Sequence, residues 1–217
     1  MLESIKQESI AEQVAERLRQ AIEDGSIQAG TRLTEQEICD QMSVSRTPVR
    51  EAFRILQVEG YLTYRPRFGV IVTELSMQDL YDAWEVRMNL EEMVARKTAR
   101  LADDNLKNTI RGELKAIEAV LKQKRIREEQ FTALDEKYYE IHISNCGNKK
   151  LEETARSLRV SSAIMRRKSK FSEERARVAL HEISEIYNAY LNNDEEKAVL
   201  CNRAHFDASL EEIKRYM

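Results

Sequence analysis

VSRTPVREAFRILQVEG, residues 44–60, is the stretch that decides how the rest of the chain is read. Taken as a helix from Thr47, it places Val49, Phe53, Leu56 and Gly60 on one side. Arg46, Arg50 and Arg54 fall on another, because residues four apart on a helix are neighbours. Ser45 or Thr47 can cap its start, and Pro48 suits the first turn, where a missing N–H costs nothing. The product is a short helix with an apolar back and an arginine front. Ser45, Arg46 and Thr47, at its leading end, are residue types that bind phosphate oxygens and base edges. The stretch reads as a recognition helix.

Upstream, Ser9 to about Asp24 predicts a first helix, with Ile10, Val14, Leu18, Ala21 and Ile22 at helical spacing and Gly25 as its stop. Ser26 to Arg32 is a turn-rich connector. Thr34 caps a second helix, Glu35–Met42, that buries Ile38 and Met42, and Ser43-Val44 turns into the arginine helix. Downstream, Leu62–Arg65 and Val70–Thr73 are short β-branched or aromatic runs around Pro66-Arg67-Phe68-Gly69, a hairpin pattern. Three helices followed by a hairpin with Arg65 and Arg67 at its tip predict a winged helix-turn-helix domain over residues 1–74.

From Ser76 the pattern changes. Ser76 with Asp79 resembles a capping box. Six helical segments follow, at about 77–102, 105–125, 127–145, 148–169, 172–192 and 195–216, with no strand candidate. Both prolines lie before residue 70, which leaves the later helices free to be long. The predicted fold is mostly α: an N-terminal winged helix-turn-helix and, over 75–217, an all-α bundle of about six helices.

With 35 Lys and Arg against 38 Asp and Glu, the net charge of −3 does not by itself point to nucleic acid. Distribution is more telling. Arg46, Arg50, Arg54, Arg65 and Arg67 meet only Glu51 and Glu59 between residues 46 and 67, a local basic face that would make DNA affinity salt-dependent. Cys39, Cys146 and Cys201 are odd in number and widely spaced, so a disulfide framework is not expected. No apolar run has the length of a membrane span, and a cytoplasmic location is expected.

Leu33 to Gly60, with SRTPVREA at Ser45–Ala52, resembles the N-terminal domain of GntR-family transcription regulators. The second half resembles the FadR subfamily, whose C-terminal ligand-binding domain is called FCD. That likeness rests on Arg87 and Glu91, Asp135, Gly147-Asn148, His181 and His205 in the expected order. The resemblance implies a homodimeric repressor-type regulator that binds a palindromic operator and answers to a small organic acid. It implies DNA contacts at Arg46, Thr47 and Arg50 and at Gly69 in the wing tip. Gln36 stands where some relatives have a DNA-contacting arginine. It also implies a divalent metal, Zn, Ni or Mn, held by Asp135, His181, His205 and a fourth position occupied here by Tyr139 instead of histidine. Either a three-ligand site, completed by water or the effector with Tyr139 as hydrogen-bond donor, or a metal-free pocket follows. Arg87 can grip an effector carboxylate through two N–H groups, or it can pair with Glu91 on its own helix.

Three other readings carry less. His142 and Cys146 could be a nucleophile pair, but no third orienting group accompanies them, so a buried cysteine beside a helix-end histidine is expected. A metal-dependent hydrolase on Asp135, His181 and His205 would need a general base in a setting that the sequence lacks. A helical interaction module would leave the arginine helix unexplained. Trp84, Tyr81 and Met88 read as core or dimer interface.

Overall fold

Reciprocal caps start the first two helices. Helix α1 (Ile10–Glu23) begins at Ser9, whose hydroxyl accepts from the Glu12 N–H at 3.1 Å while the Glu12 carboxylate accepts from the Ser9 N–H at 2.7 Å. Thr34 and Glu37 repeat the device at the start of α2 (Glu35–Met42). Ser43 then takes left-handed backbone at φ 55° and turns the chain into α3 (Arg46–Val58). Ser45 stands just ahead of α3, but its side chain makes no capping hydrogen bond, so the cap expected there is not formed. The computed structural model describes the backbone of residues 9–74, 76–168 and 171–215, and their side chains apart from residues 77, 80 and 159–168.

Strands β2 (Leu62–Arg65) and β3 (Gly69–Val72) pair antiparallel, with Leu62 opposite Val72 and Arg65 opposite Gly69. Between them the Phe68 N–H donates to the Arg65 carbonyl at 3.1 Å. Arg67 at φ 69° and Gly69 at φ 85° make the reversal, with Pro66 fixing the residue before. A further strand, β1 (Arg32–Leu33), lies on the other edge of β3, with Arg32 opposite Ile71. The sequence predicts a connector ending at Arg32, because two residues carry no periodicity and their partner lies far along the chain. Val14, Leu18, Ile22, Val49, Phe53, Leu56, Leu62 and Val72 form one core, so α3 is anchored from behind by α1 and the sheet. Ile10, expected in the apolar stripe of α1, is instead 57% exposed in its first turn.

The second region is helical: α4 (Met77–Leu101), α5 (Asp104–Leu121), α6 (Glu128–Ser144), α7 (Lys149–Lys168), α8 (Glu173–Leu191) and α9 (Glu195–Lys214). The expected Ser76–Asp79 exchange is present ahead of α4. Helix α5 stops four residues before its predicted end. There the Arg177 guanidinium donates to the Leu121 and Gln123 carbonyls at 3.1 and 2.9 Å and satisfies the carbonyls that a longer helix would have used. Ile110, Ile117, Tyr138, Leu180, Ile183, Tyr187 and Tyr190 centre the core. The chain divides into two compact units, one reaching to Leu80 and taking in residues 157–167 of α7, the other holding 81–156 and the segment from 168 onward. Among the described residues no helix is long and apolar enough to cross a membrane.

Candidate nucleic-acid interface and interior polar cluster

Helix α3 has the two faces that its spacing predicts. Val49, Ala52, Phe53 and Leu56 are buried, while Ser45, Arg46, Thr47, Arg50 and Arg54 are exposed. Burying the apolar face against α1 fixes which way the arginines point. Two consecutive residues at the start of α2 hold two of them. The Arg50 Nε donates to both carboxylate oxygens of Glu35 at 2.8 Å. The Arg46 Nη2 donates to the Gln36 carbonyl oxygen at 2.7 Å, and Gln36 in turn donates to Asp40 at 2.8 Å. Gln36, at the position where some relatives are expected to carry a DNA-contacting arginine, is thus engaged between Asp40 and Arg46. The hydrogen bond from Arg50 draws the Glu35 carboxyl below its ordinary value. On the wing, Arg65 pairs with Glu74 at 2.9 Å, and Arg67 and Phe68 are exposed at the tip. Sequence reasoning missed Glu35 because the ten-residue spacing from Arg46 to Gln36 and the fifteen from Arg50 to Glu35 match no helical period.

In the helical unit a charged cluster lies inside. Arg87 and Glu91, one turn apart on α4, are both buried, with Arg87 Nε 2.9 Å from Glu91 Oε1. The other Glu91 oxygen meets His142 Nε2 at 2.7 Å, and His142 Nδ1 bonds the Tyr190 hydroxyl. Burial alone would raise the Glu91 carboxyl, but the Arg87 charge and the His142 hydrogen bond outweigh it and bring the group down to about 2. The Arg87 guanidinium stands 4.7 Å from the Phe206 ring centroid and 5.6 Å from that of Tyr139. The pairing of Arg87 with Glu91 that the sequence allows is present.

Around this cluster several buried polar atoms have no hydrogen-bond partner among the described residues: Trp84 Nε1, Tyr187 Oη and Asn202 Nδ2. Trp84 packs on Phe206 at 5.3 Å between centroids, Tyr187 meets Tyr138 edge-on, and Asn202 Oδ1 accepts from the Tyr138 hydroxyl at 2.7 Å. The pair His142 and Cys146 is buried as expected, but His142 is held by Glu91 and Tyr190 and has no role beside the thiol.

The four residues expected to ligate a metal are not gathered. His181 lies on the exposed face of α8 with Glu174, Val178 and Glu185. His205 Nδ1 is paired with Glu182 Oε2 at 2.7 Å, and Glu182 also takes Arg175 at 2.9 Å. The Tyr139 hydroxyl donates to the Ala155 carbonyl at 3.3 Å, and Asp135 is half-buried on α6. Among the described residues no three His, Cys, Asp or Glu side chains stand close enough to hold a metal ion. The donor set as folded does not fit Zn, Ni or Mn, whose sites need three or four convergent ligands. Helical phase explains the difference for His181: α8 buries Ala176, Leu180, Ile183 and Tyr187, which turns position 181 to solvent.

An arginine-fronted helix braced on a wing, followed by a helical second domain, defines a DNA-binding transcription regulator. Residues 10–72 match the family described as bacterial regulatory proteins, gntR family, and residues 82–208 match the FCD domain. The chain belongs to the GntR family, among members that carry an FCD domain. It is 24% identical over 200 residues to YdhC, an uncharacterized HTH-type transcriptional regulator of Bacillus subtilis (strain 168), covering 92% of this chain and 89% of that protein. It is 29% identical over 139 residues to the HTH-type transcriptional repressor RspR of Escherichia coli (strain K12), covering 63% and 60% respectively. The solved structure of E. coli McbR/YncC has the same fold, with a TM-score of 0.80 at 18% identity, over 96% of this chain and 99% of that one.

Proposed function

We propose that this GntR-family regulator is an effector-controlled repressor of the FadR subfamily that binds a palindromic operator as a homodimer. The observation that carries the DNA half is the exposed row Arg46, Thr47 and Arg50 on a helix whose opposite side is locked into the core. That row enters the major groove, and Arg65, Arg67 and Gly69 bring the wing against the flanking backbone. Val86 and Met93, seven apart on α4, and Leu200 on α9 are large apolar side chains left exposed in the helical unit and support self-association.

The effector is a small organic acid that reaches the interior cluster of the helical unit. The unpartnered polar atoms of Trp84, Tyr187 and Asn202 support this, since a buried donor without a partner costs about 1–3 kcal/mol and the oxygens of a ligand would meet it. Arg87, paired with Glu91, would take the carboxylate by exchanging that partner for the ligand. Control of DNA binding then requires that the acid bind two states of the dimer with different affinity.

Selection from a pool of random-sequence duplexes tests the DNA half. The full chain is expected to enrich a palindromic sequence and to bind it with a steep salt dependence. Binding that is insensitive to salt, or enrichment of no sequence, would remove the operator reading. For the effector half, a panel of small carboxylates is expected to shift the melting temperature of wild type, and Arg87→Lys is expected to blunt that shift.

A further inference from the structure

The recognition helix does not present its arginines alone. Glu35 is the first residue of α2, with its cap formed independently by Thr34, so its carboxylate is free of helix-starting duty. It spans to α3 and takes the Arg50 Nε on both oxygens at 2.8 Å. Among the described residues Arg50 makes its hydrogen bonds through Nε only, on the side-on edge of the guanidinium, which leaves the end-on edge, one N–H from each terminal nitrogen, for another partner. A guanidinium is a planar fork, so fixing one edge sets the direction of the other. Exposed ion pairs contribute little to folding, and stability is a poor account of why this one is built. The neighbouring residue performs a parallel task, with Gln36 holding Arg46 and Asp40 holding Gln36.

Resting on the assignment of α3 as the reading helix, we propose that Glu35 is a specificity-determining residue. It offsets the charge of Arg50 and aims its free edge, so that Arg50 selects a base by hydrogen-bond geometry and gains little from phosphate. Phosphate attraction is sequence-independent, whereas a bidentate contact to guanine O6 and N7 discriminates between bases. An arginine without this partner would bind any duplex better and choose among duplexes worse. Gln36 differs in kind, because it steers Arg46 without cancelling its charge.

The test uses the full chain and two probes: a random-sequence duplex pool and the duplex that wild type enriches from it. Glu35→Gln keeps an acceptor and loses the charge; Glu35→Ala loses both. Each variant is expected to bind the unselected pool more tightly, by roughly 3- to 10-fold at low salt, with a salt slope steeper by about one for each arginine released. Preference for the enriched duplex over the pool is expected to fall by about tenfold. In an Arg50→Ala background the same changes at Glu35 are expected to leave the preference between the two probes unchanged, since the group that Glu35 aims is gone and any gain from the lost carboxylate is shared by both probes. Variants that bind both probes as wild type does would overturn the proposal. So would an equal loss on both probes, or a fall in preference that persists without Arg50. A wild type that enriches no sequence would instead overturn the assignment of the reading helix itself.

Discussion

Two arginine–glutamate pairs in this chain have almost the same contact distance and opposite surroundings. Arg50 Nε meets Glu35 at 2.8 Å with side chains 59% and 34% exposed; Arg87 Nε meets Glu91 at 2.9 Å with side chains 8% and 1% exposed. Water screens the first pair, so breaking it leaves a solvated ion and a fold almost unchanged. The second has no water to fall back on, and each partner depends on the other and on His142. Location, not chemistry, therefore separates a pair whose loss the fold tolerates from one on which an interior depends.

The comparison breaks most visibly at Glu91. Replacing it by Ala leaves Arg87 and His142 facing each other in the interior, and a loss of about 3–5 kcal/mol is expected from denaturant unfolding. Little change would mean that the pair is wet and the contrast with Glu35 false. Arg50→Ala is the counterpart: affinity for the enriched duplex should fall by roughly tenfold or more, while the melting temperature moves by less than about 4 °C.

Acid should sharpen the same contrast. The folded Glu91 carboxyl sits at about 2 against an ordinary 4.5, so its contribution to stability is complete above about pH 4.5. That contribution is lost as the pH falls through the window down to about 2, because the unfolded chain takes up the proton first. Unfolding free energies measured across this range should decline less steeply in Glu91→Gln than in wild type. The smallest effect is expected at His181. On the exposed face of α8 it packs into no core and stands apart from the other expected ligands, so His181→Ala should leave the melting temperature within about 2 °C of wild type, and added zinc should not change that comparison.

How far the sequence carried depended on whether the relevant signal was local. The cap at Thr34, the span Glu35–Met42 and the buried Val49, Phe53 and Leu56 all follow from spacing within one or two turns, and the structure has them there. Strand β1 escaped because it is too short to show a period. The partnership of Glu91 with His142 joins α4 to α6 across a stretch of chain in which neither residue hints at the other. His181 misled in the opposite direction: its order along the chain matched a metal-binding pattern, but helical phase put it outside. The Glu35–Arg50 pair was equally invisible: Arg50 stands out in sequence, but nothing ties Glu35 to it until α2 and α3 are folded against one another.

The most direct test of the DNA-reading face is Arg50→Lys, which keeps the charge and removes the planar fork. Competition between the enriched duplex and the random pool should show the pool bound about as well as by wild type, with the preference for the enriched duplex largely lost. A lysine variant that retains the full preference would show that position 50 supplies only charge, and that the reading of bases lies elsewhere on the molecule.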